Sequence, residues 1–314
     1  MINEQIFRKI LVPVDDSTPS LVAQELTAFI AKKLKSEVTL IHVVFHEFMH
    51  TPEESIRTEE RHEHPPIGAM GGQMPATFHA SESPLSSLPN EVLNEIADWY
   101  HQKGEEAIDN AVALFKEEGV SVDHKIVEHA SPADTILNVA HEGKYDLIAM
   151  GASGEDEQGP HLGSIAGKVA RNAQIPVLVA RDKSRISKIL VPVDGSETAL
   201  KALEHGAVLA KLTNATTTLL YVLESGLFKL KPDVSKEIGN RILVKAADRV
   251  KGTKLERKME SGDPAKKIIQ TAEEGDYDLI VMGGRGLGAI ERFILGSVSD
   301  HVVHYANRSV LIMK

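Results

Sequence analysis

The sequence predicts an α/β protein made of two tandem, doubly wound, parallel five-stranded sheets with helices on both faces. Three observations predict this: a sequence repeat, the alternation of short apolar runs with amphipathic helical patterns, and a composition poor in aromatic residues. Of the 314 residues, 42% are hydrophobic but only 4% are aromatic, which favours a layered α/β protein over an all-β sandwich. A chain of this length ordinarily forms about two domains.

The same pattern occurs twice in the chain. KILVPVDDS begins at Lys9 and returns as KILVPVDGS at Lys188, 179 residues later; YDLIAMG begins at Tyr145 and returns as YDLIVMG at Tyr277, 132 residues later. The first copy therefore holds 47 extra residues, the difference between 179 and 132. We expect domains at 1–184 and 185–314, with an irregular insertion at about 45–90 that is rich in His, Glu, Pro, Gly and Ser and has no sustained periodicity.

Each copy contains five apolar runs separated by helical patterns. Short apolar runs indicate buried strands, which are KILVPV in both copies, TLIHVV and TLLYVL, VDHKIVE and KLERKME, YDLIAMG and YDLIVMG, and IPVLVA and RSVLIMK. Amphipathic patterns predict helices at SLVAQELTAFIAKKL and ALKALEHGAVLAKL and at about 91–118 and 235–250, and SPADTILNVAHE and DPAKKIIQTAEE begin helices with an early proline. Strand–helix alternation predicts right-handed crossovers and a parallel sheet.

Composition excludes several classes of function. The chain has no cysteine, which excludes disulfides, thiolate metal sites and cysteine nucleophiles. The N-terminus lacks a signal-peptide pattern and no window approaches 18 uncharged apolar residues, so we expect a soluble, cytoplasmic protein without membrane contact. The formal net charge of −10 divides into −14 for residues 1–184 and +4 for residues 185–314. A polyanionic ligand should prefer the second copy. The sequence has no basic cluster interleaved with aromatic residues, so we do not expect a nucleic-acid partner.

Glycines follow the fourth strand of the second copy, where ligands bind in an open parallel sheet. The spacing is Gly283, two residues, Gly286, nine residues, and then Gly296 and Ser297, which open an apolar helix. Glycines let a phosphate approach main-chain N–H groups, and a helix N-terminus receives an anion. A tight strand–helix turn would also explain glycines here. The spacing is neither that of the P-loop nor the Rossmann fingerprint.

VPVD at the end of the first strand, the DPA helix start, YDLIVMG and Gly-x2-Gly-x9-Gly-Ser together resemble the universal stress proteins, here as a tandem of two domains with the adenine-nucleotide alpha-hydrolase-like fold. The resemblance implies ATP with Mg or Mn, phosphate contacts from the glycine and serine segments, Asp194 near the ribose or the divalent ion, and Val222 in the adenine pocket. The candidate site residues are Pro192, Val193, Asp194, Val222, Met282, Gly283, Gly286, Gly296, Ser297, Val298 and Ser299. Capping of the following helix is the alternative role of Asp194.

The first copy departs from this pattern. Its glycines are Gly151, Gly154 and Gly163, and the loop before Gly163-Ser164 is one residue short and carries Glu155, Asp156 and Glu157. These carboxylates would repel phosphate, whereas the second copy carries Arg285 and Arg292 there. We therefore expect the first site to be weak, altered or empty.

Two further features leave alternatives open. The insertion histidines invite a zinc hypothesis, since His46 and His50 would share one face of a helix, but scattered polar side chains on a solvated loop explain them better; they are His46, His50, His62, His64 and His79. The resemblance implies that IPVLVA and RSVLIMK pack together as an internal pseudo-dimer, and a further homodimer is also expected.

The sequence favours a cytoplasmic stress-response protein that binds ATP in its C-terminal domain and is regulatory, with ATP altering contacts to an unknown partner protein. No general base is identifiable in the glycine loop, so we expect hydrolysis to be slow or absent. The alternatives are an ATP-consuming enzyme, such as a slow ATPase or an adenylyl or phosphoryl transferase with the insertion as a lid, and an interaction scaffold that binds no nucleotide.

Overall fold

A computed structural model describes residues 6–44, 88–128, 131–153, 162–224, 232–250, 252–286 and 295–314. The first half contains, in chain order, β1 (Lys9–Pro13), α1 (Thr18–Leu34), β2 (Glu37–Val44), α2 (Asn90–Glu117), β3 (Val122–Glu128), α3 (Pro132–Glu142), β4 (Leu147–Gly151), α4 (Ser164–Asn172) and β5 (Val177–Ala180). The second half repeats this order with β6 (Lys188–Pro192), α5 (Glu197–Thr213), β7 (Thr216–Leu223), α6 (Pro232–Arg249), β8 (Leu255–Ser261), α7 (Pro264–Glu274), β9 (Leu279–Gly283), α8 (Ser297–Tyr305) and β10 (Ser309–Met313).

The strands of the two halves form one sheet in the order β3-β2-β1-β4-β5-β10-β9-β6-β7-β8. Pairing is parallel within each half, as the repeat predicts. At the centre β5 and β10 pair antiparallel, with Leu311 opposite Leu178. The two predicted five-stranded sheets are therefore present and joined edge to edge through their last strands, as the resemblance implied.

Two apolar cores cover the two faces of this sheet, because neighbouring strand residues point to opposite sides. Val12 belongs to one core and Leu11 to the other. The first core is completed by α1, α2, α5 and α6, and the second by α3, α4, α7 and α8. Each core contains residues of both halves, so the two halves pack against each other through shared apolar cores.

Serine or aspartate side chains cap the helices that begin beside the strand ends. The hydroxyl of Ser17 accepts the N–H of Ser20 at the start of α1, and that of Ser196 accepts the N–H of Ala199 at the start of α5. Asp263 caps α7 in the same way, with proline at the next position. These local signals are the ones that the sequence shows at each helix start.

The extra residues of the first half lie partly in a longer helix. α2 has 28 residues whereas α6 has 18, so 10 of the 47 extra residues lengthen this helix. Most of the remainder falls in 45–87, which lies outside the described residues together with all five insertion histidines. In the part of the chain that the structure describes, no helix is long and apolar enough to cross a membrane.

Candidate functional site

The candidate site lies where the strand order of the second half reverses. β6 pairs with β7 on one side and with β9 on the other, so the chain runs outward to β8 and then returns to the other side of β6. Such a reversal opens a crevice at the carboxyl ends of the two central strands. Asp194 stands two residues after the end of β6, and Gly283 ends β9, so both flank this crevice.

The two predicted glycine segments, residues 283–286 and 296–299, meet in space, and we call them together the glycine cradle. The N–H of Gly296 donates to the carbonyl of Gly284 at 2.7 Å. A Cβ atom on Gly296 would lie 3.3 Å from that carbonyl oxygen and 3.8 Å from the nitrogen of Gly286. The backbones approach so closely because neither segment has a side chain between them.

The N-terminus of α8 forms one side of the glycine cradle. Gly296 is the N-cap residue and no side-chain hydrogen bond caps this helix. The first N–H groups of a helix, here those of Ser297, Val298 and Ser299, have no acceptor within the helix, and its dipole favours an anion. This geometry suits a phosphate group.

Ser299 has a different role from the predicted one. Its buried hydroxyl donates to the carbonyl of Gly283 at 2.8 Å, whereas the sequence suggested that it donates to the ligand. The side chain thus holds the end of β9 against α8. The hydroxyl therefore affects a bound ligand only through the position of the glycine turn, whereas the main-chain N–H of Ser299 belongs to the open N-terminus of α8.

Asp194 contacts both the start of α5 and the glycine cradle. Its Oδ1 accepts the N–H of Ser196 at 2.9 Å, and Gly195 between them has a φ of 89°, which favours glycine. Its Oδ2 lies 2.6 Å from the position that a Cβ atom on Gly286 would occupy. Burial raises the pKa of Tyr221 on β7, and the negative charge of Asp194 raises it further. The carboxylate therefore combines a capping role with a place at the cradle.

Thr198 is a site residue that the sequence reasoning missed. Its hydroxyl donates to the carbonyl of Arg285, which ties the first turn of α5 to the glycine loop. A Cβ atom on Gly283 would lie 2.8 Å from this hydroxyl and 2.9 Å from the nitrogen of Ala199. Comparison of the two copies could have indicated Thr198, because proline stands at the equivalent Pro19.

The sheet divides the remaining candidate residues between its faces. Val193 is buried in the α5 and α6 core, while Met282 is buried in the other core, against which Val222 and Val298 pack. On the α5 and α6 side a cavity of about 250 Å³ adjoins Asp194 and is lined by Val193, Asp194, Gly195, Leu200, Ile242, Lys245 and Ala246. Pro192 is half-buried at the end of β6. Asp194 is the residue that borders both the cavity and the glycine cradle.

Positive charge accompanies the glycine loop. The N–H of Gly284 donates to the carbonyl of Met313 at 2.7 Å, which places the end of β10 beside the loop. The next residue is Lys314, whose pKa is lowered to about 8 by burial and by the nearby charge of Arg285. The charges of Arg285 and Lys314 therefore lie near each other beside the glycine loop.

The first half keeps the backbone frame of this site but only some of its polar groups. The N–H of Gly163 donates to the carbonyl of Ala152 at 2.7 Å, the same contact as in the second half. Asp15 Oδ1 accepts both the N–H and the hydroxyl of Ser17. Arg285, Thr198 and Ser299 are replaced by Ser153, Pro19 and Ala166. Gly154 and its acidic neighbours at 155–157, as well as Arg292 in the second half, lie outside the described residues.

A divalent ion at the site would need ligands from a bound nucleotide. Among the residues that the structure describes, no group of three or more His, Cys, Asp or Glu side chains can hold a metal ion. One carboxylate together with phosphate oxygens and water is a common arrangement for Mg²⁺. Asp194 is placed to supply that carboxylate beside the glycine cradle.

Comparison with known proteins agrees with the duplicated fold. The model of the universal stress protein family matches residues 6–181 and 185–314. A universal stress protein of Mycobacterium tuberculosis is 26% identical over 285 residues, covering 79% of this chain and 94% of that protein. The crystal structure of a universal stress protein from Archaeoglobus fulgidus, 21% identical, has a TM-score of 0.65 and covers 98% of both chains. A universal stress protein crystallised in complex with cAMP is 28% identical, with a TM-score of 0.36. The match covers 41% of this chain and 97% of that protein's chain.

Proposed function

Because the chain belongs to the universal stress protein family, we propose that its second half, residues 185–314, binds ATP at the glycine cradle. The observation that carries this proposal is the contact between Gly296 and Gly284, which brings a glycine turn and a helix N-terminus together, an arrangement that suits an anion. Arg285 and Lys314 add positive charge at the same place. Met282 lies in the apolar core on that face of the sheet, and Val298 packs against it.

The proposed role of ATP is regulatory. Asp194 Oδ1 is held by the N–H of Ser196, which suits a fixed carboxylate beside a Mg²⁺ or Mn²⁺ ion better than a mobile general base. We propose that bound ATP changes contacts with a partner protein in a cytoplasmic stress response, and that hydrolysis is slow or absent. The first half, residues 1–184, is proposed to bind nucleotide weakly or not at all, because Ser153 and Ala166 replace groups of the second site.

Calorimetric titration of the full chain with ATP, ADP, AMP and cAMP, each with Mg²⁺, tests the binding proposal. We expect one site per chain, with ATP bound most tightly because its phosphates fill the glycine cradle. The panel includes cAMP because a similar protein was solved with it. Absence of binding heat for all four nucleotides, with no nucleotide released from the purified protein on denaturation, would support the scaffold alternative instead.

Gly296→Ala localises the site within the chain. The added methyl group would lie 3.3 Å from the oxygen of Gly284 and 3.8 Å from the nitrogen of Gly286, so it separates the two segments or covers their amides. We expect ATP to bind at least about tenfold more weakly, which corresponds to about 1.4 kcal/mol. Gly163→Ala makes the same change at the equivalent position of the first half and should leave ATP affinity unchanged. Equal losses in both variants would place the site elsewhere.

Phosphate release distinguishes regulation from catalysis. The full chain is incubated with ATP, Mg²⁺ and candidate co-substrates, and released phosphate or pyrophosphate is measured against a Gly296→Ala control. We expect release at the background rate. Turnover that depends on a co-substrate and disappears in Gly296→Ala would establish the ATP-consuming alternative.

A further inference from the structure

The first half of the chain holds α8 at both of its ends. Near the end of α4, Arg171 pairs with Asp300 in the first turn of α8, with 3.2 Å between Nη1 and Oδ1. Directly after β5, Arg181 donates from Nη2 to the carbonyl of Val303, in the last turn of α8, at 2.6 Å. The N-terminus of α8 is one side of the glycine cradle, so first-half side chains position a part of the second-half site.

The other side of the glycine cradle is tied to the same first-half helix. The N–H of Gly284 donates to the carbonyl of Met313 at 2.7 Å, and the adjacent Lys314 donates from Nζ to the carbonyl of Ala170 at 2.6 Å. Ala170 and Arg171 are consecutive residues of α4. The last turn of α4 is therefore linked to one cradle segment through Lys314, which follows the Met313 that contacts Gly284, and to the other through Asp300, which follows Ser299.

Part of this arrangement follows from the duplication and part does not. Arg181 and Lys314 are equivalent residues, and so are their acceptors Val303 and Ala170, because both pairs are 133 residues apart. The ion pair has no such counterpart. At the same separation of 133, the equivalent of Asp300 is Gly167, which has no carboxylate. The ion pair thus links the first half to the site of the second half, whereas the second half makes no equivalent ion pair with the first-half residue Gly167.

Asp300 matters for an anionic ligand because its negative charge lies in the first turn of α8. The N–H groups of this turn would bind a phosphate, and like charges repel each other. Arg171 offsets that charge. The side chains of Arg171 and Asp300 are 45% and 37% exposed, so their pairing adds little to the stability of the fold. We therefore expect the loss of Arg171 to change the charge near a bound ligand without unfolding the protein.

We propose that the first half controls the affinity of the glycine cradle for phosphorylated ligands through the pairing of Arg171 with Asp300. The inference rests on the proposed nucleotide site. Arg171 is a positioning residue: it contacts Asp300 and offsets its charge in the first turn of α8, next to the cradle. Any event that moves α4 away from α8 then lowers the affinity for ATP, which makes the first half an internal regulator of the second.

A double-mutant cycle on the full chain tests this proposal. ATP and adenosine are titrated into the wild type, Arg171→Gln, Asp300→Asn and the double variant. We expect Arg171→Gln to weaken ATP binding about fivefold and adenosine binding less than about twofold, with the difference shrinking at high salt. In the Asp300→Asn background, Arg171→Gln should change ATP affinity little, since no charge remains to be neutralised.

Arg249→Gln is the matched control. It removes one positive charge from the second half by breaking an exposed pair, in which Arg249 is 49% exposed and lies 3.0 Å from Glu204. Should Arg171→Gln behave like Arg249→Gln while the wild type binds ATP, the regulatory inference is overturned and the nucleotide site stands. Equal losses for ATP and adenosine would also overturn it, because they would show a structural effect. A wild type that binds no ATP overturns both proposals.

Discussion

Lys314→Met should remove a pH dependence of stability that this lysine creates. Its half-buried ammonium group lies beside α4 and close to Arg285, and its pKa falls from 10.5 to about 8 on folding. A difference of about 2.5 pKa units corresponds to roughly 3 kcal/mol at 1.36 kcal/mol per unit. Because the folded chain holds this proton more weakly than the unfolded chain, the lysine opposes folding at neutral pH.

The sign follows from proton binding. Between pH 8 and 10.5 the unfolded chain keeps the Lys314 proton and the folded chain has lost it, so the free energy of unfolding rises with pH in this window. Below pH 8 the penalty is complete, and above 10.5 it is absent. Urea unfolding of wild type and Lys314→Met at several pH values isolates this residue, since other titrating groups cancel in the difference. The wild type should gain about 3 kcal/mol relative to the variant from pH 8 to 10.5; parallel curves would refute the burial of this charge.

Three other predictions concern packing and charge. Thr27→Val should raise the free energy of unfolding by about 1 kcal/mol, because the buried Thr27 hydroxyl has no partner among the described residues. The control Thr135→Val should lower the free energy of unfolding, because that hydroxyl donates to the carbonyl of Ser131. Urea unfolding of both variants measures the two changes. ATP binding at pH 8 should take up a fraction of a proton, because a bound phosphate should raise the pKa of Lys314, which burial lowers to about 8. Calorimetry in two buffers measures this uptake, and unchanged uptake in Lys314→Met would contradict the prediction. Gly239→Ala should cost about 1–3 kcal/mol, because its Cβ would lie 2.7 Å from the Tyr221 ring; an unchanged melting temperature would show that the ring moves freely.

The repeated architecture was predictable because its signals are local. Each strand is a short apolar run, and residues such as Ser17 and Asp263 mark the helix starts. The meeting of the two glycine segments also followed from the sequence, because parallel strand ends lie at one edge of the sheet. The joining of β5 to β10 was expected from the resemblance alone, since edge pairing uses backbone groups that leave little mark on side-chain pattern.

Other features depend on contacts that no local pattern carries. Thr198 reaches Arg285 across 87 residues of sequence, and Arg171 reaches Asp300 across 129. Ser299 looked like a ligand donor because it stands in a serine-rich helix start, and only the approach of β9 shows that its hydroxyl is used by Gly283. The length of α2 was predictable, because its amphipathic pattern indicated a helix at about 91–118 and the observed helix is Asn90–Glu117.

Amide hydrogen exchange with and without ATP tests the central claim most directly, since the claim is that main-chain N–H groups of the second half receive the phosphates. With saturating ATP and Mg²⁺, we predict slower exchange in peptides covering 283–286 and 296–299, and no change in peptides covering 151–153 and 163–166. Protection confined to the first half, or none in the glycine cradle at a concentration where ATP is bound, would contradict the account.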